Sequence, residues 1–302
     1  MPNFEQYMIK NKKKLKKKIR KGIPDSLRGQ VWPLISGLQK LREGREDLYK
    51  KLINDINECE ILNIPDEETI IKDLHRTYPK NLLFYNKLGS GQRTLFRILS
   101  CFSMRNKKVG YVQGMSFLVA IFFSYLTEEK TFWMMENIMK NYKLQDLYFP
   151  GFPGLKKNLF VLLKLMKKLL PNIFRKFSRC QLYPTVYASS WYLTCFTNCI
   201  SYDIVIRILD CYLFEGIKII HRISLGILAL KENEILSKRS FGDLMDVMKN
   251  ITDNINIDIL FQKSFSFSIS RKKILEYENL YKDHLNGTKP GDEDIMDQVR
   301  IG

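Results

Sequence analysis

Apolar residues recur at three- and four-residue spacing along almost the whole chain, as in Leu159, Leu162, Leu163, Met166, Leu169 and Leu170, while sustained period-two alternation is scarce. A helix turning about 100° per residue gathers such positions on one side. The pattern therefore predicts an all-α protein. Breakers fall between the periodic runs, at Gly22 to Pro24, Gly37, Pro65, Pro79, Gly89 to Gly91, Pro150 to Gly154, Pro171, Pro184 and Gly216, and divide the chain into roughly a dozen helices. No repeat of fixed period is present, so an irregular globular stack of unequal helices is expected rather than a solenoid. With 302 residues, 45% of them hydrophobic, such a stack can bury a core without disulfides or metals. The prolines of Tyr148-Phe149-Pro150-Gly151-Phe152-Pro153-Gly154 mark a hinge between an N-terminal lobe, about 22–150, and a C-terminal helical lobe, about 151–285.

The ends differ from the body. The net charge is +17, and about half of it sits in residues 1–21, where nine Lys/Arg face the single Glu5. The run Lys10 to Lys21, KNKKKLKKKIRK, could bind acidic lipid headgroups, nucleic acid or an acidic protein face, and it equally fits a solvated arm. Residues 286–302 are polar and acidic with Gly and Pro, and read as a disordered tail.

Several function classes find no support. The six cysteines form no C-x-x-C pair and the three histidines, His75, His221 and His284, offer no ligand spacing, so no metal site is expected. Cys195 and Cys199 read as helix neighbours. No G-x-x-x-x-G-K-[ST] loop is present, Gly89-Ser90-Gly91 lacks the third glycine of the dinucleotide fingerprint, and no Ser-His-Asp ordering appears. Met1 onward shows no secretory signal, which predicts a cytoplasmic protein. The apolar run Met115–Leu126 is too short to span a bilayer, and the uncharged stretch Cys180–Tyr202 carries too many polar residues.

Three stretches stand out from the helical background. In the first, Ile70-Ile71-Lys72-Asp73-Leu74-His75-Arg76-Thr77-Tyr78-Pro79, a short helix begins at the acidic run Pro65-Asp66-Glu67-Glu68 and ends at Pro79. Ile70, Ile71 and Leu74 fall on one stripe and Arg76 projects nearly opposite it, free to reach a partner. Asp73, one turn earlier, can hold the guanidinium through an i, i+3 contact. An exposed ion pair with no further task has the same spacing. The second, Val109-Gly110-Tyr111-Val112-Gln113-Gly114-Met115, sets a polar amide between glycines at the start of a buried helix. Glycines allow another backbone to approach, and Gln113 could donate and accept hydrogen bonds to a water or peptide group, or be satisfied locally. The third runs Gly22-Ile23-Pro24-Asp25-Ser26-Leu27-Arg28-Gly29-Gln30-Val31-Trp32-Pro33, with Asp25 or Ser26 as N-cap and Arg28 placed to stack on the Trp32 indole. That stretch reads as structural.

Taken in order, these stretches resemble the opening motifs of the TBC domain, the GTPase-activating module for Rab-family small GTPases. Its R-x-x-x-W pattern appears as Arg28 to Trp32, I-x-x-D-x-x-R as Ile70 to Arg76, and Y-x-Q as Tyr111 to Gln113 with Gly114 following. Gly91-Gln92, Glu128-Glu129-Lys130-Thr131-Phe132-Trp133, and Trp191 with Phe196 and Gly216 agree further on. The resemblance covers about residues 20–250, and its specificity lies in the ordered conjunction of short patterns. The chain departs from the family at Leu209-Asp210, where Trp-Asp is frequent, and in its lysine arm and acidic tail.

The resemblance implies a wholly helical, two-lobed fold with the functional residues in its N-terminal half. It implies a GTPase activator, not an enzyme in the strict sense, acting on a Rab-family GTPase in its GTP-bound form. Arg76 would be an arginine finger and Gln113 a glutamine finger replacing the partner's own water-positioning residue, with Asp73 and Tyr111 in support and Arg28, Trp32 and Gly114 as scaffold. An inserted arginine is worth about 10³–10⁵ in rate. No cofactor of its own is implied, since GTP and Mg²⁺ arrive with the partner. The implied setting is vesicle trafficking and intracellular protein transport, in the cytoplasm and at the periphery of endomembranes, with the lysine arm against an acidic membrane surface. Two other readings differ in class. A TBC-like adaptor would bind a GTPase without accelerating it, against which stands the retention of both Arg76 and Gln113. A nucleic-acid-binding protein built on the arm would need an aromatic and basic platform that is missing, so no nucleic acid is expected.

Overall fold

The computed structural model of the chain describes residues 4–58, 66–287 and 293–299; Cys59 and the breaker Pro65 lie outside them. Among the described residues every element is helical, in twenty α-helical segments and two 3-10 turns, with no strand. The expectation of a dozen helices undercounts them. Several periodic runs are interrupted at residues that are neither Gly nor Pro, as at Asn11 between Phe4–Lys10 and Lys12–Lys21, or Lys231 between Lys218–Leu230 and Glu232–Ser237. Such breaks leave no mark in composition.

The chain forms two compact units, one of Met1–Phe149 with Leu209–Phe214 and one of Pro150–Ile208 with Glu215–Gly302. The units change over between Phe149 and Pro150, within the proline segment, and Leu209–Phe214 belongs to the first unit as well.

The first unit is built around Met115–Phe123, MSFLVAIFF. A helix that is apolar all round must be buried on all sides, and Leu118, Val119, Ala120, Ile121 and Phe122 are. Ser90–Arg105 and Glu128–Lys140 pack against it and against each other. Each fully buried Leu or Phe contributes about 1.5–3 kcal/mol, so this trio anchors the unit. At its edge Glu128 accepts from Arg97 Nε and Nη2, both at 2.7 Å, and from Tyr49 OH at 2.9 Å. Burial raises the Glu128 carboxyl, but these partners outweigh it and hold the group below its ordinary value. The basic arm is helical, and its C-terminal end is fastened: Ile19 is buried and its carbonyl accepts from Cys211 Sγ at 3.8 Å, while Lys12, Lys13, Lys17 and Lys18 face water.

In the second unit, Pro153–Leu169 packs against Arg271–Leu285 and Pro171–Arg179, and Lys218–Leu230 against Ile257–Ser266. Three helices open on proline, at Pro153, Pro171 and Pro184, where the missing N–H has no intrahelical partner to lose. The stretch Cys180–Tyr202 is broken into the short helices Pro184–Tyr187 and Ser189–Leu193, and no described helix is long and apolar enough to cross a membrane. Cys195 and Cys199 are not helix neighbours, since Ser189–Leu193 ends before both and Cys195 has φ 49°. The expectation of a disordered tail needs correction for residues 293–299. Glu293–Asp297 is a helix packed on Pro153–Leu169, with Ile295 buried within it and Val299 buried just beyond its end.

Candidate functional site

The site is assembled from the Glu67–Arg76 helix and the segment 106–114 leading into Met115–Phe123, both within the first unit. On the Glu67–Arg76 helix the buried side is Ile70, Asp73, Leu74 and then Thr77, while Ile71 is exposed. Steps of three and four residues define that side, and Ile71 lies 100° off it. The expected stripe therefore gains an aspartate and loses an isoleucine. Asp73, 2% exposed, is the centre of the site. Its Oδ2 accepts from Tyr111 OH at 2.5 Å and from the Gly114 N–H at 2.7 Å. Its Oδ1 accepts from Arg76 Nε at 2.7 Å and Nη2 at 2.6 Å. A buried carboxylate is tolerated only when its oxygens are so occupied. Burial first, and then the Asp73 carboxylate, raise the Tyr111 phenol well above its ordinary value, which keeps it a donor.

A second carboxylate shapes the loop from outside. Asp66 precedes the helix with φ 63° and does not cap it. Its Oδ2 instead accepts from the Tyr111 N–H at 2.7 Å and from Ser103 Oγ at 2.8 Å. Gly110, at φ 62°, has room for no side chain, since a Cβ there would fall 2.7 Å from Asp66 Oδ2. Gly114, at φ 97°, turns the backbone so that its N–H meets Asp73. From the other side, Thr77 Oγ1 donates to the Asp73 carbonyl at 2.7 Å and shares a 2.7 Å hydrogen bond with Ser116 Oγ.

This framework brings Arg76 and Gln113 side by side at an exposed edge. The Arg76 side chain is 47% exposed although its partner Asp73 is buried. Its guanidinium carbon lies 5.9 Å from the centre of the Phe117 ring, which forms a T-shaped pair with Tyr78 at 5.4 Å between ring centres. Gln113 is exposed. With its amide turned by the hydrogen-bond pattern so that oxygen faces arginine, it accepts from Arg76 Nη1 at 3.1 Å and from Nη2. A permanently charged planar donor and a neutral amide thus share one rim, each with donor capacity left for a partner.

Arg28 and Trp32 lie elsewhere in the unit and do not join this site. Nor do they stack on each other as expected. Both converge on Asp210, which is fully buried: Arg28 Nε donates to Oδ1 at 3.1 Å, Trp32 Nε1 to Oδ1 at 2.7 Å and the Ile23 N–H to Oδ2 at 2.9 Å. The Arg28 guanidinium lies instead over Tyr125, at 5.6 Å. Asp25 and Ser26 cap no helix, and Asp25 accepts from Arg28 at 2.7 Å and Tyr125 OH at 2.7 Å. Burial pushes the Asp210 carboxyl up against the pull of these donors. Asp210 therefore ties the stretch from Gly22 to Pro33 to the unit, and within Leu209-Asp210 the difference from Trp-Asp is confined to Leu209.

Sequence reasoning missed Asp66, Thr77, Ser116 and Phe117 as parts of this framework. Asp66 read as an acidic helix start, and nothing local points to a partner 45 residues away.

The profile of the Rab-GTPase-TBC domain matches residues 25–236. The chain belongs to this family. It is 32% identical over 274 residues to a Rab GTPase-activating protein of Caenorhabditis elegans, tbc-11, spanning 89% of the chain but 29% of that protein. It is 33% identical to growth hormone-regulated TBC protein 1 of Xenopus tropicalis, over 81% of the chain and 70% of that protein. Among solved structures, the Chlamydomonas flagellar RabGAP TBC domain superposes with a TM-score of 0.73 at 27% identity, over 88% of this chain and 90% of that one. The GAP domain of Gyp1p shares the fold at a TM-score of 0.70 and 20% identity.

Proposed function

We propose that this chain accelerates GTP hydrolysis by a Rab-family small GTPase in its GTP-bound form, inserting Arg76 and Gln113 into the partner's nucleotide site. One observation carries the reading: a half-exposed arginine and an exposed glutamine lie in contact at a rim, both positioned by the buried Asp73. An arginine kept only for an ion pair gains nothing from a buried aspartate that also fixes the neighbouring loop. GTP hydrolysis is slow because charge on the transferred phosphoryl group must be stabilised and a water held in line. The guanidinium meets the first need by binding two oxygens at once, and the Gln113 amide the second by accepting from the water while donating to the developing charge. Held in advance, the pair loses little on docking. The partner supplies GTP and Mg²⁺. A finger worth about 10³–10⁵ in rate lowers the barrier by roughly 4–7 kcal/mol.

The helix Lys12–Lys21 supports a second element of this proposal, association with an acidic membrane surface, since its exposed lysines have no acidic neighbour in sequence. It suits a cytoplasmic protein acting peripherally on endomembranes in vesicle trafficking.

The test is single-turnover GTP hydrolysis by a panel of Rab-type GTPases, with wild type, Arg76→Ala and Gln113→Ala compared. Acceleration of one member by orders of magnitude, lost in Arg76→Ala and reduced in Gln113→Ala, is the expected result. A panel member that binds in its GTP form and hydrolyses no faster would make the protein an adaptor and overturn both assignments.

A further inference from the structure

The loop between the Arg76 helix and Ser90–Arg105, residues 77–89, is pinned from beneath and apolar on top. Phe84 is buried, with its ring 6.3 Å from that of Phe123. Gln92 reaches back twice, donating through Nε2 to the Phe84 carbonyl at 2.9 Å and accepting from the Leu88 N–H at 3.2 Å. Asn81 Oδ1 accepts from the Leu83 N–H at 2.9 Å. Gly91 lies so close beneath that a Cβ there would fall 1.8 Å from the Leu83 carbonyl oxygen. Gly91 and Gln92 thus serve to hold this loop in shape.

What the loop presents runs against folding. Leu82 is 87% exposed and Leu88 74%, with Tyr85 and Leu83 exposed beside them. Leu88 also adopts φ 60°, a conformation that L side chains avoid. A rigid loop carrying strain and a cluster of wet apolar side chains is a feature of binding surfaces rather than of stability. Lys80 and Lys87 are exposed within the same loop, so its apolar centre carries a cationic rim.

We infer that the Leu82, Tyr85 and Leu88 surface is a docking platform for the same GTPase that takes the Arg76 and Gln113 fingers, receiving an apolar spot with acidic neighbours beside the partner's nucleotide site. The inference rests on the function proposed above. Chain continuity supplies the occupant. Leu82 is six residues beyond Arg76, a span of at most about 20 Å. A single-domain GTPase is about 40 Å across, so it extends about 20 Å from its centre. A partner of that size whose nucleotide meets Arg76 is wide enough to reach Leu82. The fingers act on the reacting atoms, whereas the platform sets affinity and partner choice.

The experiment is single-turnover GTP hydrolysis at increasing concentration of the full chain, read as plateau rate and half-saturating concentration. The double variant Leu82→Ser/Leu88→Ser should raise the half-saturating concentration at least tenfold and leave the plateau unchanged, while Arg76→Ala should lower the plateau. Leu88→Gly separates docking from folding. It relieves the left-handed strain, so its melting temperature should hold or rise while half-saturation still shifts upward. Leu88→Met should restore near wild-type half-saturation. An accelerating wild type whose half-saturation is unmoved by the double variant and by Leu88→Gly overturns the platform and spares the finger reading. A wild type that accelerates no panel member overturns the finger reading, and the platform with it.

Discussion

Replacing Asp73 by asparagine changes one atom at the centre of the site and keeps its volume. Four donors converge on the carboxylate: Arg76 Nε and Nη2, Tyr111 OH and the Gly114 N–H. An amide offers one oxygen and a pair of donor hydrogens. If that oxygen serves Tyr111 and Gly114, the NH₂ faces the guanidinium, donor against donor. If it serves Arg76, the NH₂ faces the Gly114 N–H, and only the phenol can adapt by accepting. Two hydrogen bonds are lost in the first arrangement and one in the second, where the phenol reverses its role, and bonds to a charged group are worth about 1.5–3 kcal/mol each. Because Arg76 is half exposed it recovers part of its loss from water, which leaves a net destabilisation of about 2–4 kcal/mol. For a unit of this size that lowers Tm by roughly 5–12 °C. Arg76 is also freed from its mount, and under the proposed function a misplacement of about 1 Å costs on the order of 10² in rate. Thermal melts and single-turnover hydrolysis measure the two effects separately. A melting temperature within about 2 °C of wild type, together with an unchanged plateau rate, would show that Asp73 does not hold Arg76 and the Gln113 loop in place.

Two further outcomes follow from groups away from the site. His221 in the second unit is fully buried, with Nδ1 2.7 Å from Tyr192 OH and Nε2 without a hydrogen-bond partner; burial first, and the charge of Lys157 next, push it down to about 3 from 6.5. The unfolded chain takes up a proton below pH 6.5 that the native chain refuses, so stability falls as pH drops towards 3, by roughly 3 kcal/mol at pH 4.5. Urea unfolding at pH 7 and 4.5 should show that part of the loss in wild type and not in His221→Gln; equal losses in both would refute it. Changing Lys12, Lys13, Lys17 and Lys18 to Gln should weaken co-sedimentation with phosphatidylserine vesicles by up to about 4 kcal/mol at low salt, with no effect on hydrolysis by a soluble GTPase. Undiminished sedimentation would mean that the arm does not provide the membrane contact.

The helical class, the breakers at Pro153, Pro171 and Pro184, and the burial of Met115–Phe123 were all legible because they depend on neighbours three or four residues apart. Arg76 and Gln113 could be singled out from the sequence because Ile70 to Arg76 and Tyr111 to Gln113 each form one short pattern, and the structure sets the two side by side. Even the Asp73 contact to Arg76 is an i, i+3 relation. Other features were decided by packing. Asp66 had to meet Tyr111, Asp73 had to be enclosed by Gly114, and Arg28 and Trp32 had to find Asp210, at separations of 41 to 182 residues. Periodicity is silent at such distances, because it records which face of a helix is apolar and not which other helix covers it. The same limit explains why Ile71 was placed inside, why the tail near Ile295 read as disordered, and why Leu209–Phe214 could not be assigned to the first unit. The amino-acid order by itself determined which residues were available for the chemistry. Only the tertiary structure decided that one buried carboxylate would hold Arg76 and fix the Gln113 loop together, because a buried charge is stable only where several distant donors converge on it.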